Sequence, residues 1–442
     1  MKIIQSKKEN NTFWQEIKYS PLKEKPQDNI IVSSNIKYQT IVGFGGAFTE
    51  SAAYNYFLMD KNQKNEVLKA YFSQDGLNYN LGRLHINSCD FSLNNYSYVE
   101  ENDMTLASFS LKRDEKYVLP FLKDALKITN NNINLLASPW SPPAYMKDNN
   151  NMNFGGILKD NFKKIWANYY IKYLDEMAKR GIKIKALTVQ NEPLAKQTWD
   201  SCLYSATQER DFIKFYLGPA LEKSNHKDIH LYIWDHNRGE SLLERVKTVL
   251  SDPLTNKYVY GIAFHWYCSE DFNSLSISHN MFPDKNLLFT EGCVEYNVYG
   301  NKSKMSFENG EFYAHHMIND FNNYSTGFID WNLILDEIGG PNHVKNYCEA
   351  PIMYDTHKKC LYYNTPYYYI GHFSKYIKEN AKRINTIQCH NKNIEAVSFL
   401  NPDNEKVVVI LNKGIDYSIN LVIDEKDFSL NLPAHSITTI LE

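Results

Sequence analysis

Two glutamates carry the chemistry that this sequence offers. Glu192 closes the apolar run that begins at Ile182, within Thr188-Val189-Gln190-Asn191-Glu192-Pro193, and Glu291 closes a second run, Asn286-Leu287-Leu288-Phe289-Thr290-Glu291-Gly292. Alternating apolar and β-branched residues read as buried strands, and a proline that cannot donate to a sheet ladder marks where the first must stop. Each run therefore sets a carboxylate at the C-terminal end of a strand. Such a pair suits double displacement at an anomeric carbon. One carboxylate attacks while the other, kept protonated by burial and a nearby negative charge, gives its proton to the leaving oxygen. That chemistry requires carboxyls roughly 5 Å apart, against about 9 Å for inversion.

The elements that must position them repeat along the chain. Strands are predicted over Ile41 to Phe48, Leu81 to Ser88, Ile133 to Trp140, Ile182 to Asn191, His230 to His236, Gly261 to Tyr267, Asn286 to Glu291 and Gly327 to Leu335. Amphipathic helical segments lie between them. Eight such runs predict an α/β fold of the (β/α)8 TIM-barrel type. Active sites of that architecture form at strand C-termini, so the run ends make one set of candidates. They are Arg83 and Asp90 after strand two, Trp140 after three, Asn191 and Glu192 after four, Asp235 and Arg238 after five, His265, Trp266 and Tyr267 at six, Glu291 at seven, and Trp331 and Asn332 at eight. A core layer would be Val, Ile and Leu; this set is polar and aromatic. Arg83 and Asp90 are candidates for a mutual salt bridge that orients Asp90, and His265 for a buried histidine holding a neighbouring carboxylate. Histidines and acids nowhere take metal-ligand spacing, so no metal and no cofactor is expected.

The segment Asn161 to Arg180 shows the helix pattern, with Phe162, Ile165, Trp166, Tyr169, Tyr170, Tyr173, Leu174 and Met177 recurring at three and four. Asp160 is the expected N-cap and Gly181 the stop. Three regions follow: N-terminal strands over 1–40, the catalytic barrel over 41–375, and a C-terminal region over 376–442. The last reads as an accessory antiparallel β-sandwich, with strands Glu395 to Leu400, Lys406 to Leu411, Tyr417 to Ile423 and Ser436 to Leu441, completed by the N-terminal strands so that the chain ends meet.

The 442 residues suffice for a large barrel with an accessory domain. A net charge of -3, from 48 basic and 51 acidic residues interspersed, leaves no basic stripe and argues against nucleic acid. Seven scattered cysteines without a CxxC pair argue against a disulfide framework and a thiolate metal site. With no signal-like or bilayer-spanning run, the expected location is the cytoplasm. The Gly43-Phe44-Gly45-Gly46 run lacks the Lys-Ser/Thr of a phosphate loop and reads as close packing at strand one. Cys89 and Cys293 read as packing.

Several motifs, in order, resemble glycoside hydrolase family 30. They are Gly43-Phe44-Gly45-Gly46-Ala47, Ser88-Cys89-Asp90-Phe91-Ser92, Ala137-Ser138-Pro139-Trp140-Ser141, Asn191-Glu192-Pro193, His265-Trp266-Tyr267, Thr290-Glu291-Gly292-Cys293, Asp330-Trp331-Asn332-Leu333, Gly339-Gly340-Pro341-Asn342 and Gly371-His372-Phe373-Ser374-Lys375. The similarity runs from about residue 40 to the C-terminus and is strongest to the glucosylceramidase branch. It implies a retaining, exo-acting β-glucosidase acting on a glycolipid or a soluble glucoside, with Glu192 as acid/base and Glu291 as nucleophile. Asp90, Trp140, Asn191, Trp331 and Asn346 fall on positions that hold the terminal sugar, Tyr267 on one that contacts the nucleophile, and Arg83, Asp235 and Arg238 on a supporting shell. The sequence departs from that branch in lacking a cysteine-rich N-terminal piece and in the loop Leu194 to Cys202, which bears on the leaving group. Other family activities, β-1,6-glucanase, β-xylosidase and β-fucosidase, stand as alternatives, as does a non-catalytic carbohydrate-binding barrel.

Overall fold

The computed structural model describes residues 1–296 and 306–442. Three strands come first: β1 (Lys2–Lys7), β2 (Thr12–Ile17) and β3 (Asn29–Thr40). Eight barrel strands follow: β4 (Gly43–Ala47), β5 (Leu81–Ile86), β6 (Asn134–Pro139), β7 (Ile184–Thr188), β8 (His230–Asn237), β9 (Val259–His265), β10 (Asn286–Glu291) and β11 (Gly327–Asn332). They close in sequence order, each parallel to its neighbours, with β11 returning to β4. The barrel is as expected; the eighth run is shorter. It breaks at Leu333, whose N–H donates to the Ala47 carbonyl at 3.2 Å. The chain continues as β12 (Ile334–Asp336), which leaves the barrel to pair with β13 (Ile352–Asp355) and, beyond it, β14 (Cys360–Tyr363).

Close approach explains the glycines of β4. A Cβ on Gly45 would lie 2.1 Å from the Leu81 carbonyl oxygen, so only glycine lets β4 and β5 pair here. The helix predicted over Asn161 to Arg180 spans Lys163–Lys179. Gly181, at φ 76°, ends it as expected. Asp160 is not its N-cap. A 3-10 turn, Asp160–Phe162, precedes the helix, and the carboxylate is drawn instead to Lys163 Nζ at 2.7 Å.

The remaining strands, β15 (Lys382–Ile387), β16 (Ile394–Leu400), β17 (Lys406–Asn412), β18 (Tyr417–Ile423), β19 (Lys426–Leu432) and β20 (Ser436–Leu441), join β1 to β3 in one nine-stranded sheet. It is antiparallel except at one pair, since β18 runs parallel to β3. The whole barrel separates these two strands in sequence, so no hairpin dictates their direction. The chain ends meet where β1 pairs with β20, Lys2 opposite Leu441. The barrel leaves the sheet between β3 and β15, where Ile41 N–H donates to Ala381 at 2.8 Å and Asn380 N–H to Ile41 at 2.8 Å.

His372, on the helix Thr365–Ser374, fastens barrel to sheet. Its ring nitrogens lie 2.8 Å from Thr439 Oγ1 and 2.8 Å from Ser6 Oγ, and burial pushes its pKa down to about 3. The unfolded chain therefore takes up a proton that the folded chain refuses, and stability falls as pH drops below the unfolded value of 6.5 toward 3. At pH 5 that loss is about 2 kcal/mol. In urea unfolding, the stability advantage of wild type over His372→Gln is expected to shrink by about that amount between pH 7 and pH 5. An advantage that stays constant would refute the assignment.

Candidate active site

Three barrel strands slip register at their C-terminal ends: β10 at Phe289/Glu291, β8 at Trp234/His236 and β11 at Asp330/Asn332. A bulge re-aims the side chains around it, here into the mouth of the barrel. The backbone is left-handed at Glu192 (φ 46°), Trp234 (75°) and Asp235 (52°), which bulky residues adopt only when their surroundings enforce it. One restraint is visible: Glu192 N–H donates to the Asp235 carbonyl at 2.9 Å.

The guanidinium of Arg83, fully buried, is the centre of the site. Nη1 donates to Glu291 Oε2 at 2.5 Å, Nη2 to Asp235 Oδ2 and to Asn191 Oδ1 at 2.9 Å each, and Nε to Ser138 Oγ at 3.2 Å. The guanidinium carbon also lies over two rings, Trp140 at 4.8 Å and Trp331 at 5.5 Å, which stack on each other at 5.3 Å. Asp235 also accepts from Thr188 Oγ1 and Thr290 Oγ1 at 2.7 Å each. Burial would push this carboxyl up, but Arg83, His265 and Thr188 hold it well below the usual carboxylate range. Tyr267 Oη donates to Glu291 Oε1 at 3.0 Å, so both oxygens of Glu291 are held.

His265 joins the two carboxylates that Arg83 leaves apart. Nε2 lies 3.0 Å from Asp235 Oδ1 and Nδ1 3.3 Å from Glu192 Oε1. Burial opposes charge on the imidazole, yet Glu291, Asp235 and Glu192 raise its pKa to about 9. Burial likewise opposes charge on Glu192, but the His265 hydrogen bond and the His236 and His265 rings carry it down to about 2. The raised pKa expected of Glu192 is not found, because its partners outweigh its burial. His265 Nδ1 faces Glu192 Oε1 at 3.3 Å, and the opposite shifts of the two groups favour a proton on the imidazole. Burial pushes Glu291 up against the pull of His265 and Arg83.

Glu192, His265 and Glu291 each bring a ligand-type atom to within 4.8 Å of the others. This cluster does not fit a metal ion, because both imidazole nitrogens already face carboxylates and a protonated ring has no lone pair to give.

Asp90 and Asn346 lie across the mouth, with Asn346 Nδ2 donating to Asp90 Oδ2 at 3.3 Å. Burial and the charge of Glu291 push Asp90 up to about 8. The mutual salt bridge considered for Arg83 and Asp90 does not form, because Arg83 spends its donors on Glu291, Asp235, Asn191 and Ser138. Arg238 stays outside the network too. It sits one residue beyond β8 and reaches outward to the helix Phe307–Asn322, meeting His316 Nδ1 and lying 3.2 Å from Asp320 Oδ1. The Cys89 and Cys293 thiols are buried, which raises their pKa values well above 9.0 and leaves them as packing.

Sequence reasoning missed Ser138, Thr188 and Thr290, hydroxyl residues inside otherwise apolar runs. Their signal was that polarity at a strand end or one position below it. It also missed Gln197, whose Nε2 lies 3.5 Å from Glu192 Oε2, and Glu295, which burial and the charges of Glu192 and Glu291 push up to about 7.

Residues 41–377 match the glycosyl hydrolase family 30 TIM-barrel domain, and residues 380–440 the family's beta sandwich domain. The chain belongs to glycoside hydrolase family 30. Among family 30 relatives, the lysosomal acid glucosylceramidase of Mus musculus is 38% identical over 425 residues, 92% of this chain and 81% of that protein. SrfJ from Salmonella typhimurium superposes with a TM-score of 0.94 at 38% identity, covering 100% of this chain and 99% of SrfJ. An endo-β1,6-glucanase superposes at 0.89 with 27% identity, covering 100% and 98%.

The imidazole proton is directly measurable. In 15N-labelled protein without sugar, the His265 imidazole is expected to stay protonated above pH 8, and Glu192→Gln to lower its pKa. An imidazole that titrates at or below 6.5 would contradict the proton arrangement described here.

Proposed function

We propose that this family 30 enzyme is a retaining, exo-acting β-glucosidase of the glucosylceramidase type, with Glu291 as nucleophile and Glu192 as acid/base. The observation that carries the double displacement is the approach of one carboxylate oxygen of Glu192 to one of Glu291 within 4.8 Å. Retaining pairs stand about 5 to 5.5 Å apart, inverting pairs about 6.5 to 9.5 Å. The assignment of roles is supported by the partners. Glu291 takes charge-assisted donors from Arg83 and Tyr267, which favour its anion, whereas Glu192 faces the imidazole of His265, with which it can exchange a proton.

In the first step an oxygen of Glu291 exchanges a hydrogen bond for a bond to the anomeric carbon, as the bond from that carbon to the leaving oxygen breaks. The sugar covers the pair and removes water, which favours the neutral arrangement and moves the proton from His265 Nδ1 to Glu192; Glu192 passes it to the leaving oxygen. In the second step water adds to the anomeric carbon, its proton goes to Glu192, and the ester bond to Glu291 breaks. Asp90, Asn346, Trp140 and Trp331 form the cradle for the sugar. Asn191, whose Oδ1 is taken by Arg83, keeps Nδ2 as a donor for the 2-hydroxyl, where bonds that strengthen in the transition state lower the barrier. Glucose as the sugar is supported by the likeness to the mouse glucosylceramidase. Endo-acting β-1,6-glucan hydrolysis is the second reading, favoured by the full-length likeness to the endo-β1,6-glucanase. The seven cysteines are free thiols, in keeping with a reducing compartment, and we read the cytoplasm as the place of action.

Proton NMR of the first sugar released from 4-nitrophenyl β-glucoside is expected to show the β anomer; α-glucose first would rule out double displacement. Glu291→Gln should lower kcat by roughly 10⁴-fold or more. Glu192→Ala should cost about 10²- to 10⁴-fold on poor leaving groups and far less on activated aryl glucosides. Equal losses on both would remove the acid/base role. Cleavage within a β-1,6-glucan chain, without release of glucose from its end, would decide for the second reading.

A further inference from the structure

Three loops at the barrel mouth meet on a buried carboxylate that the double displacement does not use. Asp200, 1% exposed, lies on the loop after β7. Its Oδ1 accepts from Ser88 Oγ at 2.5 Å and from Asn95 Nδ2 at 2.9 Å, both on the loop after β5. Its Oδ2 faces Nε2 of His343, on the loop 337–351 between β12 and β13, at 3.3 Å. Among the described residues neither of these two atoms has a hydrogen-bonding partner, and Asp200 has no other ion pair. The His343 side chain is itself only 9% exposed.

The protons on His343 follow from its partners. Nδ1 lies 3.1 Å from the Ser92 carbonyl oxygen, which can only accept, so Nδ1 carries a proton. Nε2 faces a carboxylate oxygen, where a bare lone pair would be repelled, so a second proton belongs between them. Ser88 and Asn95 donate to the same carboxylate and favour its anion, which leaves that proton on the ring. Burial opposes the charge of the imidazole, but Asp200, the Ser92 carbonyl and Asp90 outweigh it and raise its pKa above the ordinary 6.5. The charged groups facing the ring are Asp200 from the loop after β7 and Asp90 from the loop after β5; Lys345, on the ring's own loop, is exposed.

This pair adjoins the sugar cradle. His343 N–H donates to the Asp90 carbonyl at 3.3 Å. Asn342, its neighbour, folds the loop on itself, with Oδ1 accepting from Val344 N–H at 2.9 Å and from Asn346 N–H at 3.1 Å. Asn346 in turn reaches the Asp90 carboxyl. Asp90 and Asn346 thus come from two loops that the His343–Asp200 pair ties to a third.

We propose that His343 and Asp200 are positioning residues whose ion pair latches these three loops and presents Asp90 and Asn346 to the terminal sugar, a latch that opens when the ring loses its proton. The proposal rests on the reading of Asp90 and Asn346 as the sugar cradle. The pair is complete below the raised pKa of His343; as pH rises through it, Nε2 is left with a lone pair against an unpaired buried anion. Sugar binding therefore weakens on the alkaline side. The bond-breaking step is affected less, because the bonds of the pair run to Ser88, Ser92, Asn95 and Asp90 and none runs to Glu192 or Glu291.

The test compares KM for 4-nitrophenyl β-glucoside between wild type and His343→Gln from pH 6 to 9.5. The ratio of the two is read because Asp90, which burial and Glu291 push up to about 8, titrates in both proteins. The variant's KM is expected to exceed that of wild type roughly fivefold or more at pH 6 and to approach it above the His343 pKa, with kcat changed less than KM. In 15N-labelled wild type without sugar, His343 should titrate above 6.5, and Asp200→Asn should bring it to 6.5 or below. Hydrogen exchange supplies a readout free of turnover: at pH 6 the segments 88–96 and 337–349 should exchange faster in His343→Gln than in wild type, a difference that closes above the His343 pKa. A KM ratio constant across pH, or a wild-type His343 that titrates at or below 6.5, overturns the latch. Proton-dependent exchange of those segments, found together with no turnover of any β-glucoside, supports the latch and overturns the β-glucosidase reading instead.

Discussion

A single buried cation holds this site together. Arg83 has no contact with solvent, and its guanidinium is compensated by Asp235 and Glu291 while the rings of Trp140 and Trp331 pack beside it. Taking a charge this far from water costs several kcal/mol unless its partners are placed to return it. The compensation therefore constrains every strand around it: Asp235 from β8, Glu291 from β10, Asn191 beyond β7 and Ser138 from β6 must all arrive at one planar group. Lysine could not replace it, since a point charge has neither the fork that reaches four acceptors nor the flat face for two indoles.

A regular barrel would not deliver these groups. Interior side chains of a parallel strand alternate, so two neighbouring residues cannot both face the axis. Bulges at the ends of β8, β10 and β11, with left-handed backbone at Glu192 and Asp235, break the alternation just where chemistry is needed. The cost of those irregularities is borne by the ordered strands below them. There Leu81, Leu136, Tyr232, Leu288 and Ile329 fill the interior.

Much of this was legible in the chain. The eight strand ends were, because parallel strands buried on both faces leave apolar runs that polar residues terminate abruptly. The two glutamates, Asn191, His265 and Tyr267 stand at those ends, and the structure brings them together. What the sequence hid was distribution in space. Arg83 lies mid-strand and could have paired with Asp90; only the fold shows that four nearer acceptors exhaust it. Arg238 has the same residue type but lies one residue beyond the end of β8, where it turns toward the helix layer. The protonation of Glu192 was likewise invisible, since it depends on an imidazole 73 positions away that closes to 3.3 Å only in the folded barrel. Gln197 lies in a loop without periodicity, and only the folded chain brings its amide to 3.5 Å from Glu192.

The nine-stranded sheet has a consequence for biosynthesis. Its first strand pairs with its last, and β3 pairs with β15 and β18, so the sheet is assembled from the two ends of the polypeptide with the barrel between them. At about 5 to 20 residues per second, the ribosome takes on the order of tens of seconds to reach the partners of β1 to β3. Through that interval the barrel segments can close on one another while the N-terminal strands wait with unsatisfied edges. The nine-stranded sheet therefore cannot be complete until β20 has left the ribosome, long after β1 to β3.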